Sequence, residues 1–417
     1  MRYIVYSLVA MLMSVSTLSA QLTLEEYCQQ VVDYSRMLHR AEDAVEASEA
    51  DMRLAHKDYL PSLTMDRDFT LNFRDRGDER QWGWSMRADI RQPIYTGGAV
   101  RAAAKQSELK YEMAIDNMRS SILEVQYAAE YAYWTLSRAE IYRRAIADYV
   151  TIIGSLRDVV SRRFDEGYTS KSDLLQVESR MSDAEYQSSA AEQEYLVALH
   201  NFNLLRGADA MVEVVLARTL TDSEPMPERE SVANIVARHP DYLSSVRDEE
   251  YARWGVRAAS SRYMPSIYAG VFGLWQPKSP NIKGAGTMLD GGIMLTTSVP
   301  IFHFGARRQA MRSARSVWSS AQWATSEMYD SITLDESNGW TNIVTTYSRM
   351  ESTRRNLQLA AENLEISTYS YHEGMTTILD VLQAQISWLQ IYTNAITAQF
   401  DYAVAVAAYR LVTAAMY

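Results

Sequence analysis

The six histidines, His39, His56, His200, His239, His303 and His372, are the side chains best suited to hold a metal or move a proton near neutral pH. Their spacing supports neither. No two stand three or four residues apart, as a helical ligand pair requires, and no nucleophile motif or phosphate loop accompanies them. Cys28 is the only cysteine, which excludes an intrachain disulfide and a thiolate cluster, and it reads as a small buried apolar residue. No enzyme, metal or cofactor is expected. The chemistry that remains is electrostatic and lies in two short stretches. R-F-D-E-G-Y-T-S-K-S-D-L-L-Q (163–176) places Asp173 after Gly167, and Y-H-E-G-M-T-T-I-L-D-V-L-Q (371–383) places Asp380 after Gly374. Each glycine lets the chain turn with positive φ at a helix end. Each acid then falls near a helix start, where it caps the helix and complements its dipole, or presents charge to ions.

The elements that position these acids follow from an internal duplication, which governs the reading of the whole chain. Gly374 lies 207 residues after Gly167, and Asp380 lies 207 after Asp173. Tyr59-Leu60-Pro61-Ser62-Leu63 recurs as Tyr263-Met264-Pro265-Ser266-Ile267, and the Pro93 to Arg101 segment recurs as Pro300 to Arg308. Each copy predicts a helix, a proline stop, a β-hairpin, a second proline with glycine, a very long helix, a tip and a return helix. The entry helices are expected over 24–58 and 231–262, stopped by Pro61 and Pro265. From Ala99 to about Phe164 there is no proline and only Gly154, so one helix about 100 Å long is expected, with a second over 306–371. Return helices are expected over 171–205 and 377–416. Ile122, Val125, Ala129, Ala132, Leu136 and Ala139 form a coiled-coil seam, continued by Ala191, Tyr195, Ala198, Phe202 and Leu205. An ordinary bundle core would show the same stripe.

Seventeen glycines and nine prolines in 417 residues leave few turns, in keeping with long elements. The net charge of −11 argues against nucleic acid as a partner. Residues 1–20 fit a secretory signal peptide: Arg2, an apolar run, then Ser19-Ala20. The expected organisation is that signal, a first repeat over 21–206 with a hairpin at 63–92 and a tip at 164–173, and a linking region over 207–230. A second repeat covers 231–417, with a hairpin at 266–299 and a tip at 371–380. No later segment is apolar enough to span a membrane as a helix.

The strands point to a membrane by another route. Leu63, Met65, Phe69, Leu71 and Phe73 alternate with Thr64, Asp66, Asp68, Thr70, Asn72 and Arg74, with Arg67 the exception on the apolar side. Trp82, Trp84, Met86, Ala88 and Ile90 alternate with Gly83, Ser85, Arg87, Asp89 and Arg91, and residues 75–80 make a charged turn. The second hairpin, over 267–275 and 291–299, is noisier, with a loop rich in Pro, Gly, Lys and Asn. Such strands span an outer membrane, apolar toward lipid, or they form one side of a soluble sandwich. Four strands cannot close a barrel, but a trimer supplies twelve.

The signal segment, the two repeats, the Pro-Ile-(Tyr/Phe) segments before glycine and a long helix, and the G-x-x-x-x-x-D-(L/V)-L-Q tips together resemble the TolC-type outer-membrane efflux proteins. The resemblance covers Gln21 to Tyr417. It implies an α+β membrane protein, a homotrimer whose twelve-stranded barrel in outer-membrane lipid continues into a periplasmic α-helical barrel. It further implies an exit duct for a tripartite efflux or type I secretion system, served by a periplasmic adaptor and an inner-membrane pump of RND, ABC or MFS type. On this reading the tips form the pore entrance. Asp380 corresponds to an acidic ring of the family, and the family's second ring falls at Gln383. Tyr371 and Asp173 match positions that hold the entrance shut, whereas the family's arginine is replaced by Thr376. Glu166, Gly167, Tyr168, Glu373, Gly374 and Met375 are the expected adaptor contacts. The competing reading is a structural periplasmic coiled-coil or adhesin-like protein without transport.

Overall fold

The computed structural model describes residues 21–71, 82–222, 224–277 and 287–415. The expected signal peptide, residues 72–74, the charged turn at 75–80 and the loop of the second hairpin lie outside the described residues.

The entry helix of the first repeat is two helices. Thr23 and Glu26 form a capping box on α1 (Leu24–Tyr34), and Ser35 ends it with extended backbone at ψ 113°. The Ser35 hydroxyl then accepts from Leu38 N–H, 3.4 Å away, at the start of α2 (Arg36–Lys57). A serine competes for backbone partners, so it caps a new helix here in place of continuing the old one. The second entry helix also divides, into α5 (Val232–Arg238) and α6 (Pro240–Ser261). Pro240, at the first turn of α6, removes a donor and drives His239 to φ −66°, ψ 121°. Between them run β1 (Ser62–Leu71), β2 (Trp82–Tyr95), α3 (Ala99–Asp165) and α4 (Lys171–Leu205). After α6 come β3 (Ser266–Pro277), β4 (Thr287–Ser298), α7 (Ala306–His372) and α8 (Ile378–Val412). Both long helices have 67 residues and both return helices 35. The duplication is therefore exact to the residue where it matters for the tips.

Two compact units divide the chain, and each draws on both repeats. The first falls within residues 1–39, 121–236 and 332–417. At its core Tyr27 stacks on Phe202 at 3.8 Å, and the Tyr27 hydroxyl donates to the Phe202 carbonyl. Tyr133 packs beside them, and its hydroxyl donates to the Arg218 carbonyl and accepts from Arg218 N–H. Val125, Ala129, Leu136, Ala139, Tyr195, Ala198 and Phe202 are all buried in this cluster, and Ala191 is buried as well. The seam read from spacing is thus a packed seam. Leu22 pairs in parallel with Leu216 of the linking region. Cys28 lies buried in the same core, and burial pushes its thiol up to about 12, so it is unreactive at neutral pH. Farther along, Glu336 is fully buried and takes two hydrogen bonds from the Arg229 guanidinium, at 2.8 and 2.9 Å, and one from Tyr409.

The second unit falls within residues 40–120 and 237–331 and holds the sheet. The four strands run in the order β1-β2-β3-β4, every neighbour antiparallel. Register places Leu63 beside Ile90, Ile90 beside Val271, and Val271 beside Ile293. Met65, Ala88, Gly273 and Gly291 form the next row. The alternation of each strand thereby merges into one apolar face across the sheet. Leu63 is 72% exposed, Ile293 87% and Leu295 70%, so nothing among the described residues covers this face. Asp66, Arg87, Asp89 and Asp290 occupy the other face. The outer edges of β1 and β4 pair with no strand among the described residues.

The ion pair of the buried Glu336 carboxylate with the half-exposed Arg229 makes stability depend on acidity. Hydrogen bonds from Arg229, more than any other cause, hold the Glu336 carboxyl below its ordinary pKa. The pair therefore stabilises the fold fully above about pH 4.3, the unfolded value, and the contribution is lost as pH falls through the lower folded value. Arg229→Gln is expected to lower thermal stability at pH 7 and to flatten the acid limb of a stability-against-pH curve measured by circular dichroism. An acid limb as steep as that of the unaltered chain would show that Glu336 does not carry it.

Candidate gate at the paired tips

Both tips are built in the same way, by two consecutive backbone devices. Gly167 has φ +81° and Gly374 has φ +75°, the left-handed region that ends a helix most cheaply with glycine. Gly167 N–H donates to the Phe164 carbonyl and Tyr168 N–H to that of Arg163. In the second tip Gly374 N–H donates to Tyr371 and Met375 N–H to Ser370. This pair of bonds is the Schellman arrangement, which satisfies the last carbonyls of α3 and α7. Three residues later a capping box opens the return helix. The Ser170 hydroxyl accepts from Asp173 N–H, and the Thr377 hydroxyl from Asp380 N–H. Each carboxylate reaches back to the capping residue's own N–H, at 3.2 Å for Asp173 and 3.1 Å for Asp380.

The acids therefore hold the third helical position of their boxes, and hydroxyl groups fix their rotamers. Thr169 donates to Asp173 at 2.8 Å. Thr376 donates to Asp380 at 2.6 Å, and Thr377 adds a bond at 2.7 Å. Thr376 is thus the counterpart of Thr169, with a role inside its own tip. These bonds, Thr169 first for Asp173 and Thr376 first for Asp380, lower both carboxyl pKa values below the ordinary range. Asp380 and Gln383 are both exposed, one turn apart on the same face of α8. Tyr168 and Met375, at 80% and 69% exposure, stand out from the turns, and Glu166, Gly167, Glu373 and Gly374 are exposed beside them.

Side-chain hydrogen bonds from Arg163, a residue that no motif marks, tie the two tips together. Arg163, in the last turn of α3, donates to the carbonyl of His372 at 2.9 Å and to that of Tyr371 at 3.3 Å. Its guanidinium also lies 4.8 Å from the centre of the Tyr371 ring. Tyr371 is buried in a core shared by both hairpins, with Ile153, Leu156 and Val160 of α3, Val177 of α4 and Val381 of α8. Tyr371 and Asp173 are not joined to each other: the tyrosine has Arg163, and the acid has Thr169 and Ser170. The repeat carried a signal for Arg163. The position 207 residues on is Ser370, so the arginine is a departure from the two-fold plan.

A duplicated chain whose sheet has an uncovered apolar face and two open edges, and whose helices end in matched charged tips, is a protein that forms a channel through an outer membrane. Residues 28–208 and 232–415 match the family described as outer membrane efflux protein, and the chain belongs to that family. It is similar to the outer membrane efflux protein BepC of Brucella suis, 21% identical over 383 residues that cover 90% of this chain and 81% of BepC. Among solved structures it is similar to CusC, with a TM-score of 0.83 at 14% identity, covering 95% of this chain and 93% of that one. VceC from Vibrio cholerae matches with a TM-score of 0.79 at 16% identity, covering 94% of this chain and 95% of VceC. The fold is accordingly TolC-like, as the resemblance implied. The protein is an outer-membrane exit duct of an efflux system, with a large periplasmic part. Membership of this family of channels implies a trimer that works with an adaptor and a pump.

The capping geometry predicts how the tips respond to substitution and acid. Thr377→Ala is expected to cost about 1 kcal/mol of helix-cap stability, measured by thermal denaturation. Because both acids have depressed folded values, their bonds favour the folded tips above about pH 3.9 and are lost as pH falls through the lower folded values. The charge on Asp173 and Asp380, read from carboxyl carbon NMR shifts, is expected to hold from pH 7 to about pH 4 and to fall only below it. Either carboxyl titrating above about pH 4 would show that the hydroxyl bonds do not hold its charge.

Proposed function

We propose that three copies close their sheets edge to edge into a twelve-stranded barrel and that their six tips form the periplasmic entrance of the pore. The open edges of β1 and β4, flanking one continuous apolar face, are the observation that carries this reading. Unpaired backbone groups are not tolerated in hydrocarbon, so the outer edge of β4 in one copy needs β1 of the next. The duct serves a tripartite efflux or type I secretion system whose inner-membrane pump is of RND, ABC or MFS type. The adaptor meets the turns at Glu166, Gly167, Tyr168, Glu373, Gly374 and Met375, where exposed apolar side chains sit on otherwise polar turns.

At the entrance, Asp380 repeated three times makes a ring of fixed negative charge that concentrates cations and repels anions. Gln383 one turn away adds hydrogen-bonding capacity without charge. Asp173 secures the first tip through its capping box. The closed state is held within each chain by Arg163, which ties the end of α3 to the last carbonyls of α7 and covers Tyr371. The guanidinium does the work that the family assigns to an arginine at the position of Thr376, from the opposite hairpin. When adaptor binding separates the hairpins, these two charge-assisted bonds break together.

Single-channel conductance tests the assignment. Arg163→Ala is expected to raise the open population about tenfold, the effect of losing hydrogen bonds from a charged donor. Asp380→Asn is expected to reduce cation selectivity with little change in open population. Unchanged gating in Arg163→Ala removes the arginine from the lock, and unchanged selectivity in Asp380→Asn removes the ring.

A further inference from the structure

Arg67 is the one charged side chain on the apolar face of the sheet among the described residues. Its row runs through Met86, Trp275 and Leu289. Among the described residues no acid pairs with it, and its contact is the ring of Phe69, with the guanidinium 4.6 Å from the ring centre. Phe69 is two residues nearer the hairpin connection on the same face, so the charge is drawn toward that end of the strand. Phe69 pairs with Trp84, and Trp84 meets Trp275 edge to face at 5.2 Å. Arg67 thus delivers its charge into an aromatic cluster.

That cluster has a counterpart. All four strands join helices at their other ends, through Ser62, Tyr95, Ser266 and Ser298, and there Tyr95, Phe302 and Phe304 are exposed. From Tyr95 to Trp84 along β2 the chain rises about 28 Å normal to the membrane, at about 3.3 Å per residue and a tilt near 40°. That separation spans the apolar band of an outer-membrane barrel, about 25 Å tall, and aromatic girdles mark its two interfaces. The helix-bearing end is periplasmic in this family, so the Phe69, Trp84 and Trp275 girdle lies at the outer leaflet. An arginine on the lipid face is costly at the midplane and tolerated at an interface, where its long stem lets the guanidinium reach polar headgroups.

We propose that Arg67 and the Phe69, Trp84 and Trp275 girdle bind the phosphate-bearing headgroup of an outer-leaflet lipid. The planar guanidinium gives two parallel bonds to phosphate oxygens, and the lipid's acyl chains run down the face past Met65, Leu63 and Ile90. The inference rests on the outer-membrane placement of the sheet, and the test separates the two. Full-length trimers in detergent are melted with diphosphoryl lipid A, with its dephosphorylated form, and with inorganic phosphate. The unaltered protein is expected to gain thermal stability from the phosphorylated lipid alone. Arg67→Gln is expected to lose that gain and to retain about tenfold less phosphorylated lipid in native mass spectrometry, with Arg67→Lys intermediate. An equal gain in Arg67→Gln, or an equal gain from the dephosphorylated lipid, overturns the site. An equal gain from inorganic phosphate overturns the lipid as its ligand. Should Arg67→Gln fail to assemble, the lipid dependence of Arg67→Lys decides by the same criteria. Cell fractionation tests the membrane placement separately, since absence of the unaltered protein from the outer membrane would overturn that placement and not the phosphate contact.

Discussion

A β-sheet in hydrocarbon has no water to satisfy its outermost N–H and C=O groups, and this chain makes only four strands. The pairing of the whole sheet follows from that constraint. Two hairpins from two repeats meet along β2 and β3, so the duplication is already assembled into one sheet within a single chain. What remains open is one edge on β1 and one on β4, which are mutually complementary under rotation. An apolar face that would be an aggregation hazard in water becomes the lipid-facing wall once those edges close. The same closure puts Asp66, Arg87, Asp89 and Asp290 on the inner side, in contact with water.

The tips obey a different economy. Long helices that end in solvent leave carbonyls and N–H groups without partners, and both turns satisfy them with the Schellman bonds and a capping box. The carboxylates at the third position of those boxes are held in place by threonine and serine hydroxyls, so charge that serves helix termination is also presented at fixed geometry. Structure and electrostatics are therefore the same residues here. Arg163 then converts two equivalent hairpins into a linked pair, because its bonds use the carbonyl ends of α7 and its stacking covers a tyrosine from the other repeat.

Much of the fold was legible in residue spacing. The period-two pattern in 63–71 and 82–90 matches one face of the sheet, and the spacing of Val125, Ala129, Leu136 and Ala139 matches a buried seam. The entry helices were less legible. Ser35 and Pro240 each interrupt a run whose composition favours helix throughout, because one residue's local bonding outweighs the propensity of its neighbours. At the tips, Gly167, Gly374, Asp173 and Asp380 stood out because they repeat. Arg163 did not, because its partners are main-chain carbonyls more than 200 residues away, and a carbonyl carries no residue identity.

What the sequence determined by itself is local and periodic: helix length from the absence of proline, strand faces from alternation, and the matched tips from the duplication. These properties depend on neighbours within a few residues or on a repeated register, so they are written along the chain. The tertiary structure alone decided that four alternating strands form a single face with two free edges and that Arg163 binds the opposing hairpin. Each of these depends on which distant segments meet. Packing sets that through burial and backbone hydrogen bonding, and no local pattern records it.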